Sequence, residues 1–187
     1  MKDKEKKIKY IVLALVLIII ALFILLFLNG TVTRTSEDIS KDEISALNCK
    51  AGRIEDGFFV SETANTTNND IQITFKNGKL DKMYYTFSGV YRSEEVAEAE
   101  DVLVHSKYYG YMGENGFDVG YLNPSFSVVK SKYYFRLYVD DYDRINEVTR
   151  VFFFIDKEDL DEFNSYSLDT LESYYEKKNF RCDIVQQ

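Results

Sequence analysis

Ile11 to Leu28 is a run of eighteen apolar residues with no polar side chain among them. At about 1.5 Å rise per residue, a helix of that length spans roughly 27 Å, close to the hydrocarbon thickness of a bilayer. Sixteen of the eighteen are Leu, Ile, Val or Phe. On an insertion scale they sum to roughly -5 to -10 kcal/mol, so insertion is favoured. A helix also satisfies its own backbone polar groups inside the bilayer. Residues 1–9 carry Lys2, Lys4, Lys6, Lys7 and Lys9 against Asp3 and Glu5, a bias that holds a short flank in the cytoplasm. The run is longer than the apolar region of a cleaved signal peptide, about 7 to 15 residues. Its exit, Phe27-Leu28-Asn29-Gly30, shows no small-x-small pattern and no Cys for a lipid anchor. The sequence thus predicts a cytoplasmic Lys-rich tail (1–9), an uncleaved transmembrane signal anchor held by the lipid bilayer (10–28), and an extracytoplasmic part from residue 29 onward.

The whole chain carries 23 Lys+Arg against 31 Asp+Glu, a net charge of -8; residues 29–187 alone hold 18 basic and 29 acidic groups. Nucleic-acid binding is not predicted, because neutralising phosphates takes a surplus of cations. An acidic exterior part is repelled by anionic headgroups and anionic wall polymers unless cations intervene. Two readings follow, a solvated surface or a surface for cations or a basic partner. One His, two Cys and no Trp leave no His-rich metal centre or Cys-dense zinc module. No cofactor is predicted. At 45% hydrophobic the chain can bury a core.

Residues 29–45 read as a polar stalk with a short helix at Ser40 to Ala46, and residues 46–187 as one domain. Leu47 to Ile54 and Phe58 to Glu62 flank Glu55-Asp56-Gly57 as a hairpin. Thr63 to Asp70, rich in Asn and Thr, reads as a loop. Ile71, Ile73 and Phe75 alternate with polar residues, a period of two. Asn77-Gly78 suits a type I′ turn, and Lys79 to Tyr91 returns with Met83, Tyr85 and Phe87 on one face. Ser93 caps a helix from Glu94 to about Lys107, with Val96, Ala99, Val102 and Leu103 as its apolar stripe. Tyr108 to Gly120 contains four glycines and reads as a loop. Short strands follow at Phe126 to Val129 and Tyr133 to Val139, then a turn at Asp140 to Asn146. Thr149 to Ile155 reads as a buried strand. Ser167 caps a last helix, Leu168 to Lys178, with Leu168, Leu171 and Tyr175 inward, and Phe180 to Val185 closes as a strand. The order predicts an α+β domain, an antiparallel sheet covered by two helices.

The early Cys49, the Thr-Phe-Lys-Asn-Gly-Lys-Leu hairpin of residues 74–80, the acidic helix and the ending Tyr-Tyr-Glu-Lys-Lys-Asn-Phe-Arg-Cys of residues 174–182 resemble small membrane-anchored surface proteins of low-GC Gram-positive bacteria. More distantly they resemble the YehR-like lipoproteins, which are anchored through a lipidated Cys that this chain lacks. The resemblance implies an antiparallel α+β ectodomain and supplies no catalytic residues.

Four groups of residues carry chemistry worth weighing. Cys49 and Cys182, expected on opposite outer strands, form a disulfide in an oxidising compartment, or else stay as two buried thiols. Tyr108, Tyr109, Tyr111, Phe117 and Tyr121, interleaved with glycines, form either a ligand- or partner-gripping loop or ordinary packing in a chain that is 16% aromatic. Asp140, Asp141 and Asp143 crowd one turn, where three carboxylates suit a hard cation such as calcium but equally suit a turn. The EF-hand pattern fails there, since Ile145 occupies a ligand position. His105 lies near the expected end of the acidic helix, with no nucleophile or orienting acid announced beside it. The functional expectation is a single-pass envelope protein whose exterior domain binds an envelope protein or glycan, or plays a structural part, without catalysis. The alternative is an envelope hydrolase whose acidic residues assemble only in three dimensions.

Overall fold

The computed structural model describes residues 43–55 and 57–186. The predicted tail, the anchor, the stalk up to residue 42 and the first residues of the Ser40–Ala46 helix lie outside them. Residues 43–187 form one compact unit. Among the described residues no helix is long and apolar enough to cross a membrane.

Six strands make one antiparallel sheet: β1 (Ile44–Ala51), β2 (Thr66–Lys76), β3 (Lys79–Val90), β4 (Ser125–Val129), β5 (Lys132–Val139) and β6 (Arg181–Gln186). Their order across the sheet is β4-β5-β3-β2-β1-β6. Helix α1 (Glu94–Glu114) joins β3 to β4. Three short 3-10 turns and helix α2 (Leu168–Glu176) carry the chain from β5 across to β6. This is the α+β architecture that the element order predicts.

The β2–β3 hairpin closes through Asn77 and Gly78, at φ 53° and 73°. Both central residues of a type I′ turn need positive φ, and this pair supplies it cheaply. The register steps once, between Thr74 and Phe75. Alternation then sorts the side chains. Ile71, Ile73, Phe75, Met83, Tyr85, Phe87, Tyr133, Phe135, Leu137 and Val139 all point to one buried face. Each large apolar side chain so buried contributes about 1.5–3 kcal/mol.

Several local expectations are corrected. β1 begins at Ile44, so residues 44–46 are strand and not helix. β1 pairs with β2 and β6; residues 58–62 form no strand, and the predicted first hairpin does not exist. Instead Phe58 is held beneath α1, with Lys107 Nζ donating to its carbonyl and sitting 4.8 Å from its ring centre. Residues 66–70 are strand rather than loop. Their polar side chains do not prevent it, because the most deeply buried one, Asn69, finds partners. Asn69 is 2% exposed; its Nδ2 donates to Gly52 O at 2.7 Å and its Oδ1 accepts from Tyr85 Oη at 2.7 Å.

Helix α1 runs on to Glu114, past the residue where glycines suggested it would stop. Gly110 and Gly113 face open space, so each costs only its propensity, about 1 kcal/mol relative to Ala. Tyr108 and Met112 on the opposite side are fully buried and outweigh that cost. The inward stripe is Ala97, Glu100, Val104, Tyr108 and Met112. Val102 and Leu103, expected inside, are 66% and 63% exposed. Ser93 holds the N-cap position but makes no capping bond to the backbone; its hydroxyl bonds the Glu95 carboxylate.

Residues 149–153 form a 3-10 turn, not a strand, and Phe154 takes φ 57°. Phe152 and Phe153 are both buried because the tight winding sends successive rings into the core from inside a crossing segment. Asn146 and Thr149 fix that winding: Asn146 Oδ1 accepts from Val148 N and Thr149 N, and Thr149 Oγ1 donates to Arg144 O. At α2 the expected cap holds, with Ser167 Oγ accepting from Thr170 N at 3.3 Å. Leu171 and Tyr175 are buried as predicted, Leu168 only partly.

Candidate functional site

The helical layer packs on one face of the sheet. Ring contacts tie it there: Tyr108 to Phe135, Phe59 to Phe135, and Phe154 to Tyr85. The opposite face is formed by the alternate positions of the same strands. Every one of those outward positions among the described residues is exposed or half-buried, and none is fully buried.

Strand register arranges this open face in rows. One row reads Arg181, Lys50, Asp70, Thr86, Arg136, Ser125 from β6 to β4. The next reads Asp183, Asn48, Gln72, Tyr84, Tyr138. Tyr84 and Tyr138 stack at 4.8 Å, and Arg136 lies 5.2 Å from the Tyr134 ring. The face is therefore a flat platform of hydroxyls, amides and cations with aromatic patches. At its β6 end it dips into a cleft of about 730 Å³ lined by Lys50, Asn68, Asp70, Asn179, Arg181 and Asp183 among others.

Electrostatics set this face apart from the rest of the domain. Lys50, Lys82, Lys132, Arg136 and Arg181 occupy outward strand positions, with Lys76 and Lys79 at the hairpin end. The carboxylates there are Asp70 and Asp183, with Asp81 at the register step. Acidic groups concentrate on the helical layer instead: Glu94, Glu95 and Glu98 on α1, Asp156 to Glu162 in the crossing segment, and Asp169, Glu172 and Glu176 on α2. The acidic net charge thus averages over a sheet face on which basic side chains outnumber carboxylates. Burial raises the Asp70 carboxyl above its usual range, an effect that the Lys50 charge opposes.

Cys49 and Cys182 form a disulfide. They sit on neighbouring strands, directly opposite in register; β1 is an interior strand, so the expected placement on opposite outer strands is corrected.

The tyrosine–glycine segment is not one surface. Tyr108 is fully buried in the core and donates to Val119 O at 3.1 Å. Tyr111 is half-buried and donates to Val148 O at 2.9 Å. Phe117 and Tyr121 pack on each other at 4.9 Å, and Tyr109 alone stands 40% exposed. Helix α1 sends Tyr108, Tyr109 and Tyr111 to different sides of its axis, while Phe117 and Tyr121 lie in the turns after it.

Asp140, Asp141 and Asp143 are not brought to a common centre. Asp140 faces Arg144 at 3.9 Å, and Asp141 Oδ1 accepts from the backbone N–H of Asp143. Among the described residues no group of three or more His, Cys, Asp or Glu side chains is placed to hold a metal ion. His105 stacks on Phe126 at 3.5 Å and pairs with Asp101 at 3.1 Å, a packed position within α1.

A buried polar cluster lies under the first half of α1. Glu100, 6% exposed, accepts from Thr63 Oγ1 at 3.1 Å. Close by, burial and then the charge of Glu100 raise the Tyr91 hydroxyl to about 12, and burial followed by the charges of Asp101 and Glu100 raises the Tyr133 hydroxyl. The sequence reading overlooked both this cluster and the open face. The signal for the face was present in the polar halves of the alternating strands, Tyr84-Thr86-Ser88 and Tyr134-Arg136-Tyr138.

No family model, curated protein or solved structure matches this chain.

Proposed function

We propose that the chain is a membrane-anchored, extracytoplasmic binding domain of the cell envelope, without catalytic activity, that works through the open face of its sheet. The observation that carries this reading is the one-sided layering: a long polar face with a cation surplus is left uncovered by the helices. The eighteen-residue apolar run and its lysine-rich flank supply the anchor and its orientation. Fourteen residues separate Leu28 from Glu43, so the tether reaches at most about 50 Å from the bilayer. The domain then works on the inner layers of the envelope, in keeping with the resemblance to anchored Gram-positive surface proteins.

The hydrolase alternative draws on the two cleft carboxylates, Asp70 and Asp183. They stand two strands and one two-residue step apart in register, roughly 12 Å between Cα atoms by standard strand spacings. Paired carboxyl groups in glycoside hydrolysis stand about 5–9.5 Å apart, a separation that Asp side chains on this Cα spacing can reach, so it is the cation surplus of the face and not the spacing that favours binding.

The test is acylation of the full chain by a membrane-impermeant amine reagent, in intact source cells and after purification. Lys50 and Lys132 report the open face and Lys157 the helical layer. Labelling of Lys157 in cells, with Lys50 and Lys132 reacting only after purification, is expected. No labelling of any of the three in cells overturns the exterior placement. Equal labelling of all three overturns occupancy of the face.

A further inference from the structure

We infer that two copies of this chain join edge to edge through β4, antiparallel about a two-fold axis at Ser127, with helix α1 of one copy against α1 of the other. Such pairing is independent of what the open face binds.

The two edges of the sheet differ. β6 carries Arg181 and Asp183, whereas β4 reads Ser125-Phe126-Ser127-Val128-Val129 without a charge. An uncharged open edge is a template for another strand. Tyr138 N donates to Leu122 O, so the even-numbered residues of β5 turn their backbone groups toward the β4 side. Their partners on β4 are Ser125, Ser127 and Val129. Backbone groups alternate in direction along a strand, which leaves the N–H and C=O of Phe126 and Val128 on the outer edge. Among the described residues β4 pairs with β5 alone. The buried face is unfinished at the same edge: Tyr133, Phe135 and Leu137 on β5 are buried, while Phe126 and Val128 are half-buried.

A second copy answers both deficits. Paired residues send their side chains to the same face, so a two-fold axis passes level with a residue and not between two. With the axis at Ser127 all of β4 pairs, and Phe126 of each copy meets Val128 of the other, exchanging both N–H···O bonds each time. An axis at Phe126 would set Val128 against Pro124, which has no N–H. One at Val128 would set Phe126 against Lys130 in the turn, at φ 55°.

The helices then meet as well. α1 packs over β4 and β5 alike, so its axis lies about 5 Å from the seam at ordinary strand spacing. The second copy's α1 lies as far on the other side, and the separation of about 10 Å is that of packed helices. Glu94, Glu98, Asp101, His105 and Tyr109 recur at three- or four-residue spacing on one side of α1, the side where His105 and Tyr109 lie against Phe126. Val102, 66% exposed, borders them. The two helices run antiparallel, so the acidic half of each faces the Tyr109 half of the other. His105, held by its own Asp101, meets its counterpart near the axis. That axis is normal to the sheet, so both chains reach Glu43 at the same height along it, as two anchors in one bilayer require.

The experiment uses the full chain in liposomes at low protein-to-lipid ratio, carrying Ser127→Cys or, at the other edge, Val185→Cys, oxidised and run on a non-reducing gel. The two native cysteines are already joined, so each variant offers one free thiol. Paired residues at an antiparallel seam stand about 4.5–5.5 Å apart between Cα atoms, within disulfide reach. Ser127→Cys is expected to cross-link into a dimer and Val185→Cys to stay monomeric. Sedimentation of the full chain in detergent reads the affinity. Ser127→Lys sets like charges opposite each other on the solvent side and is expected to weaken association about fivefold; circular dichroism confirms that it is folded. Cross-linking of Val185→Cys alone moves the interface to β6 and overturns the inference. Equal cross-linking of both variants reports random collision and overturns it. So does no cross-linking of Ser127→Cys, unchanged association of Ser127→Lys, or a native protein that is monomeric at every concentration.

Discussion

Cys49 and Cys182 face each other across β1 and β6 with their Cα atoms 4.0 Å apart. The bond joins the first described strand to the last, a sequence separation of 133 residues. It fastens the edge strand β6, which pairs with β1 on one side and carries Arg181 and Asp183 of the cleft.

Breaking this clamp lowers stability more than it changes the fold. Chain-entropy reasoning sets about 5 kcal/mol as the upper figure for so long a loop. The Cys49→Ala/Cys182→Ala variant is expected to lose about 2–5 kcal/mol in urea unfolding, and added reductant is expected to lower the native protein to the same midpoint. An unchanged midpoint in the double variant would show that β6 is held by packing of Phe180 and Tyr175 alone.

The Asn69–Tyr85 hydrogen bond is the polar counterpart inside the core. It allows an Asn-rich segment to run as strand β2 through a buried position. Tyr85→Phe keeps the ring packing and removes only the donor, leaving Asn69 Oδ1 buried without it. The expected loss is about 1–3 kcal/mol, read from chemical denaturation. A loss below a few tenths would mean that Asn69 finds another donor.

These two bonds also show where the sequence was readable. Alternation over residues 71–91 and 133–139, the Asn77-Gly78 turn, the Ser167 cap and the cysteine pair were all visible, because each depends on local geometry or on a residue type with few uses. The segment 66–70 was misread because its partners, Gly52 and Tyr85, are distant in sequence. Helix α1 outruns the end that its glycines suggest because Gly110 and Gly113 face solvent while Tyr108 and Met112 are buried, a sidedness that propensity does not carry. Residues 149–153 share apolar composition with a strand, and only the tertiary enclosure of Phe152 and Phe153 distinguishes a 3-10 turn. The candidate site was missed for a different reason: net charge averages over both faces of the sheet, and the register that separates them is not local information.

Gly89 exposes a packing constraint at the end of β3. A Cβ there would lie 2.5 Å from Tyr91 Oη. Tyr91 is itself buried, next to the Glu100 cluster, so its ring has little room to retreat. Gly89→Ala is expected to destabilise by about 1–3 kcal/mol through overpacking. The second variant Gly89→Ala/Tyr91→Ala, which vacates the ring's space, is expected to make the Gly89→Ala step nearly neutral relative to Tyr91→Ala alone. Additive losses in this cycle would assign the cost to strand backbone rather than to the ring.

Asp70 links the cleft to the pH dependence of stability. Burial is the main cause of its raised pKa, and Lys50 across the strand offsets part of the shift. A carboxyl that holds its proton more tightly in the folded state makes that state bind more protons between the unfolded and folded pKa values. Stability contributed by this group therefore falls as pH rises through that window and stays low above it. Asp70→Asn keeps the size and removes the ionisation. Its melting temperature relative to the native protein is expected to improve as pH rises from the ordinary carboxyl pKa, about 3.9, through the raised pKa of the folded state. The Lys50→Gln variant is expected to steepen the native protein's decline, because it removes the charge that favours the ionised form. An Asp70→Asn protein that becomes relatively less stable as pH rises would show that attraction to Lys50 outweighs burial. Lys50 and Asp70 would then form an ion pair at the cleft, beside Arg181 and Asp183.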